Sequence, residues 1–171
     1  MKLTAKLISR VSAAVIVLFA TVTIIPGCNT SGCTDNRSSI PLAGFYSATT
    51  GTSISLDSLD VMGAGAPIDS LMLAAGTRAT EVYLPLRSDS PSVTYDFTYK
   101  YKNLEGITDR LTISYESYPY FASEECGAMY RYRITRIEHT DFLLDSVALT
   151  VPDSVITNVN IQSMKLFFRT N

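Results

Sequence analysis

The chain has 171 residues, the length of one domain, and its 46% hydrophobic content is enough for a packed core. Fourteen Lys and Arg against sixteen Asp and Glu give a formal charge of −2 with no basic cluster, which excludes nucleic acid as a partner. Ten Tyr, no Trp and a single His leave little for metal or histidine chemistry, and no cofactor is expected.

The first element in chain order is residues 1–27. Lys2, Lys6 and Arg10 precede an apolar run of 15 residues, Val11 to Ile25, which Pro26-Gly27 ends. Positive residues, an apolar stretch and small residues form a secretory signal. The run falls short of the roughly 20 residues a spanning helix needs, so a permanent anchor is the weaker alternative. Without this segment, 11 basic residues face 16 acidic ones, a formal −5 that disfavours docking on anionic lipid.

Ile25-Pro26-Gly27-Cys28 resembles the lipobox of bacterial lipoproteins, with a branched apolar residue three before the Cys and Gly just before it. Pro26 departs from the usual pattern. The resemblance implies cleavage before Cys28, a diacylglycerol thioether on its sulfur and acylation of the new amino terminus, so that the mature protein is held to the membrane. More than one acyl chain gives stable anchoring. The alternative is a secreted protein with a chance Cys. With Cys28 consumed by lipid, Cys33 and Cys126 remain, and an even pair in an exported protein reads as a disulfide. Two buried free thiols are the other reading. Asn29-Thr30-Ser31-Gly32 is then the whole tether, about 13–14 Å long at full extension, which favours a role close to the bilayer. The expected organisation is a signal peptide over 1–27, a lipidated tether over 28–32, and one domain over 33–171.

The remaining chain is written in strands. Short candidates are Gly44 to Ala48, Ser53 to Val61 and Leu71 to Ala74; Val82, Leu84 and Leu86 alternate next, with Pro85 marking an edge strand. Val93, Tyr95, Phe97, Tyr99 and Tyr101 alternate with polar residues, the period-two pattern of a half-buried strand. Leu111, Ile113 and Tyr115 follow, then Tyr130, Tyr132 and Ile134, whose phase Ile137 breaks, so a bulge is expected near Arg136. Val147 to Val151 and Val159 to Phe168 complete the set, and no window carries a helical stripe. Turns fall at 63–67, 88–91, 103–106 and 151–153. Eight or nine short strands predict an all-β fold, an antiparallel β-sandwich, immunoglobulin-like or similar, with a small β-barrel as the alternative.

Catalytic signals are absent. A Ser–His–Asp reading would join His139 to Asp141 or Asp145, but no Gly-x-Ser-x-Gly elbow precedes any Ser. Asp57 and Asp60 lack the oxygen spacing of a calcium loop, and Gly63-Ala64-Gly65-Ala66-Pro67 lacks the Lys-Ser/Thr ending of a phosphate cradle. Tyr115, Tyr118, Tyr120 and Phe121 crowd around Pro119 near Cys126. Tyrosine joins rigid contact area to a polar tip, so Tyr118, Tyr120 and Phe121 are the candidate binding face, with core packing as the plainer reading.

Pro41-Leu42-Ala43-Gly44-Phe45-Tyr46-Ser47, Gly63 to Pro67 with Asp69-Ser70-Leu71, Tyr83-Leu84-Pro85-Leu86, Tyr115-Glu116-Ser117 and Glu125-Cys126-Gly127 together resemble a family of uncharacterised lipoproteins of Bacteroidota, a domain of unknown function. The resemblance spans nearly all of the mature chain and brings no activity. Surface-exported lipoproteins of such bacteria carry acidic residues just after the lipidated Cys. Residues 29–32 have none, which implies an outer-membrane lipoprotein facing the periplasm. The expected function is a non-enzymatic binding or scaffold module contacting an envelope protein near the membrane. A glycan or peptide binder using the Tyr-rich edge is the alternative.

Overall fold

The computed structural model describes residues 40–65, 70–124, 127–157 and 161–170. Residues 1–27, Cys28, the tether 29–32, Cys33, Cys126, Ala66-Pro67 and Val159, on which several of the expectations above rest, lie outside the described residues.

Ten strands account for most of the described chain: β1 (Leu42–Ser47), β2 (Leu59–Gly63), β3 (Leu71–Leu73), β4 (Glu81–Tyr83), β5 (Ser92–Tyr99), β6 (Thr108–Ser123), β7 (Gly127–His139), β8 (Leu144–Leu149), β9 (Val155–Ile156) and β10 (Gln162–Phe168). They form a four-stranded sheet in the order β4-β1-β10-β8 and a six-stranded sheet in the order β3-β2-β5-β6-β7-β9, the all-β layered architecture that the alternating pattern predicts. Pairing is antiparallel throughout except between β1 and β10, which run parallel. Parallel neighbours need a long crossover, and here nearly the whole domain is that crossover.

The strands follow from their side chains. In β5, Tyr95, Phe97 and Tyr99 are buried while Thr94, Asp96 and Thr98 are half-buried on the outer face. Those outer residues pair across strands: Thr94 with Thr112 and Thr98 with Thr108, both at 3.0 Å, and Asp96 with the forked guanidinium of Arg110 at 2.8 and 3.1 Å. Phe168 of β10 links the layers, meeting Phe45 edge-on at 5.5 Å and tilted Phe97 at 6.5 Å. Gly44 lets β1 lie under the Gln162 side chain: a methyl at residue 44 would overlap the Gln162 amide, whose oxygen accepts the Tyr46 hydroxyl at 2.6 Å.

Elements differ from the expected ones in instructive ways. The bulge falls where the phase break puts it: Ser114 pairs Arg136 and Tyr115 pairs Ile134, leaving Thr135 over. β4 is an edge strand, as Pro85 implies. The Ser53–Val61 strand is shorter, because residues 53–56 cross between sheets, bridging Tyr46 at Ser53 and Ala79 at Leu56. β6 is longer, running through Pro119 to Ser123. β9 is too short to show a period.

Four tyrosines, Tyr95, Tyr99, Tyr115 and Tyr132, are core residues. The Tyr95 hydroxyl donates to the Pro85 carbonyl, and Tyr115 both accepts from the Arg87 N–H and donates to the Arg87 carbonyl, each at 2.9 Å. Burial pushes the Tyr95 and Tyr99 hydroxyls far above the ordinary tyrosine range, and in Tyr99 the bond to Asp109 adds to it. A folded value above the unfolded one, about 10, contributes stability that is complete below about pH 10 and lost as pH rises further. Phenolate absorbance followed through an alkaline titration should therefore show Tyr95 ionising only with unfolding. Tyr95→Phe should remove one phenolate from that late step and none from the early one.

Candidate functional site

β6 and β7 outrun their neighbours. β5 pairs with β6 only as far as Ser114, and β9 meets β7 at Tyr132 and Arg133. Beyond these, residues 118–123 and 127–131 form a two-stranded arm, in which Gly127 has a φ of +67° that suits glycine. Six strand residues, 118–123, span about 20 Å. Pro119 is tolerated inside β6 because this stretch is paired on one side only.

Directly opposed residues share a face and successive residues change face. Tyr118 opposes Arg131, Tyr120 opposes Met129 and Glu116 opposes Arg133 on the outer face. Phe121 opposes Ala128 and Pro119 opposes Tyr130 on the inner face, which continues from the core. The three residues of the candidate binding face are therefore divided. Tyr118 and Tyr120 stand together, and Phe121 lies on the other side with Tyr130. Phe121 is 69% exposed, Tyr130 42% and Tyr118 39%.

The outer face is a ladder of rings and guanidinium groups. Arg131 sits 4.1 Å above the Tyr120 ring and Arg133 5.5 Å from the Tyr118 ring, each leaning diagonally from β7 across β6. The Tyr118 hydroxyl donates to Glu116, which pushes that hydroxyl upward in pKa. The Glu116 carboxylate is thereby held on its own strand, and none of the ion pairs among the described residues involves Arg131 or Arg133. Arg110 with Asp96, Arg136 with Glu138 and Arg87 with Asp89 are all paired. Nothing in the residue pattern singles the two arginines out until their strand is laid against β6; the readable signal is Arg-x-Arg facing Tyr-x-Tyr across a hairpin.

Other sites stand as follows. His139 ends β7, its Nδ1 2.8 Å from the Thr140 carbonyl, while Asp141 and Asp145 both turn to Arg169. The carboxylates required for a Ser–His–Asp relay are thus engaged elsewhere. Among the described residues no three His, Cys, Asp or Glu side chains are grouped to hold a metal ion, and no helix is long and apolar enough to cross a membrane. Beside the arm's base, a groove of about 520 Å³ is lined by Ser70, Met72, Arg87, Ser92 and Thr94 among others.

Residues 58–168 match a family described as "Family of unknown function (DUF6452)". No curated protein and no solved structure matches the chain.

Proposed function

The chain belongs to this family of unknown function, and on that premise we propose that it is a non-enzymatic binding module of the cell envelope, anchored by lipid on Cys28 and contacting a protein partner through the β6–β7 arm. The anchor rests on the export signal and the Ile25–Cys28 pattern, and the outer membrane facing the periplasm rests on the acid-free residues 29–32. The observation that carries the binding role is the arm itself, where Phe121 and Tyr130 stand exposed together on one face of a slender hairpin. Large apolar groups gathered at one exposed place mark interaction surfaces. The bond between Cys33 and Cys126 belongs to the same reading.

The test is affinity capture of the mature protein from its own envelope, paired with intact-mass analysis. A start at Cys28 bearing acyl mass and one stoichiometric membrane protein are expected. Phe121→Ser, a change at an exposed position, should lose that protein while leaving the melting temperature within a few degrees. An unacylated chain, or capture that Phe121→Ser leaves intact, counts against the proposal. The groove by Arg87 favours a second reading, a small-ligand binder, which a co-purifying glycan or peptide without a protein partner would support.

A further inference from the structure

The outer face of the arm narrows what can bind there. A sugar-binding tyrosine offers its ring to the ligand, but here the outer faces of Tyr118 and Tyr120 are taken by Arg133 and Arg131. A guanidinium attracted to a ring face still has its N–H groups for hydrogen bonding. Those groups meet no carboxylate among the described residues, because Glu116 is turned to Tyr118. Two guanidinium groups held over rings and in no ion pair among the described residues are suited to binding anions.

Their spacing selects the kind of anion. Arg131 and Arg133 are two residues apart on one strand, so their stems are about 6.6–6.8 Å apart. They stack on successive rings instead of converging, an arrangement for two separate anionic groups and not for one phosphate. The same repeat separates alternate side chains of any extended polypeptide. Two arginines fall short of the roughly four to eight clustered basic residues that mark docking on anionic lipid. Pro119 removes a donor from β6, whose open edge it blunts against strand addition. The occupant therefore lies on the face and not along the edge.

We infer that Arg131 and Arg133, held by Tyr120 and Tyr118, bind an extended acidic segment of a partner protein carrying Asp or Glu at alternate positions. This deepens the proposed binding role of the arm but requires no lipid anchor, so it can be tested apart from it.

The experiment titrates the purified mature domain, without its anchor, with a capped seven-residue peptide carrying Glu at every second position and Thr between. A matching peptide with Gln for Glu serves as control. Saturable binding of the Glu peptide that weakens with added salt is expected. Arg131→Gln with Arg133→Gln should weaken it roughly tenfold or more. The Lys pair at both positions should restore part of it, since the charge returns without the fork. The melting temperature of each variant, unchanged from the parent, shows that the fold is intact. No binding of the Glu peptide, equal binding of the Gln peptide, or affinity unmoved in the Gln variant would overturn the inference. So would self-association of the parent protein that the Gln pair abolishes, because the occupant would then be a second copy. Peptide binding without an acylated Cys28 or a captured envelope protein would leave the arginine site standing and remove the membrane-tethered reading alone.

Discussion

Replacing Asp109 with Ala is expected to destabilise the domain by about 3–5 kcal/mol, read as a shift in the urea midpoint at constant slope. The carboxylate is completely buried at an inward position of β6. It accepts five hydrogen bonds: from the hydroxyls of Tyr99 and Thr140, both at 2.7 Å, and from the N–H groups of Phe142, Leu143 and Leu144 at 2.9, 2.8 and 2.9 Å. It thereby fixes the turn between β7 and β8 and joins the edge of one sheet to the centre of the other. Alanine leaves all five donors unmet. Asn is expected to cost less. Its oxygen serves Leu143 and Leu144, and the Thr140 hydroxyl turns to accept from its amide, but the Phe142 N–H then faces another donor.

The same knot gives an acid dependence. Burial pushes the Asp109 carboxyl up, but the bonds from Leu144, Thr140, Leu143 and Tyr99 outweigh it and hold the group below the ordinary aspartate range. A folded value below the unfolded one, about 3.9, contributes stability that is complete above it and lost as pH falls through the folded value. The Asn variant should have a shallower loss of stability below about pH 4. An equally steep acid limb in both proteins would show that Asp109 does not set it.

A chain shortened to begin at Ser58, the first residue of the family match, is expected not to fold. The match omits β1, yet β1 is an inner strand, pairing Leu42–Gly44 with β4 on one side and Leu42–Ser47 with β10 on the other. Without it β4 has no ladder partner, and buried Ala43 and Phe45 leave the core. Phe45→Ala alone should cost about 3–5 kcal/mol, and loss of the whole strand exceeds the total stability of an ordinary domain, about 5–15 kcal/mol. Circular dichroism and proteolysis check this, and a chain starting at residue 40 serves as the positive control. A protease-resistant 58–171 fragment with a cooperative melt would refute it.

How far the fold and the arm could be read in advance differs by residue. The Val93–Tyr101 alternation marks β5, and only Tyr101, beyond the strand end, leaves the pattern to become exposed. The arm was half visible: its aromatic residues stand out in the chain, but Pro119 hides the strand that carries them, since a proline is compatible with a strand only where one side goes unpaired. Asp109 is in phase with Leu111 and Ile113, so its inward direction was open to inspection, whereas donors more than thirty residues later were not.

What residue order determines by itself here is the all-β class, the edge position of β4 and the bulge beside Arg136, because side-chain alternation and proline act through the local backbone alone. What only tertiary structure decides is the parallel pairing of β1 with β10, the burial of Asp109 among its donors, and the division of Tyr118 and Tyr120 from Phe121 with two arginines over the rings. Each of these depends on which distant strand becomes a neighbour and in what register, and a register shift of one residue turns every side chain of a strand to the opposite face.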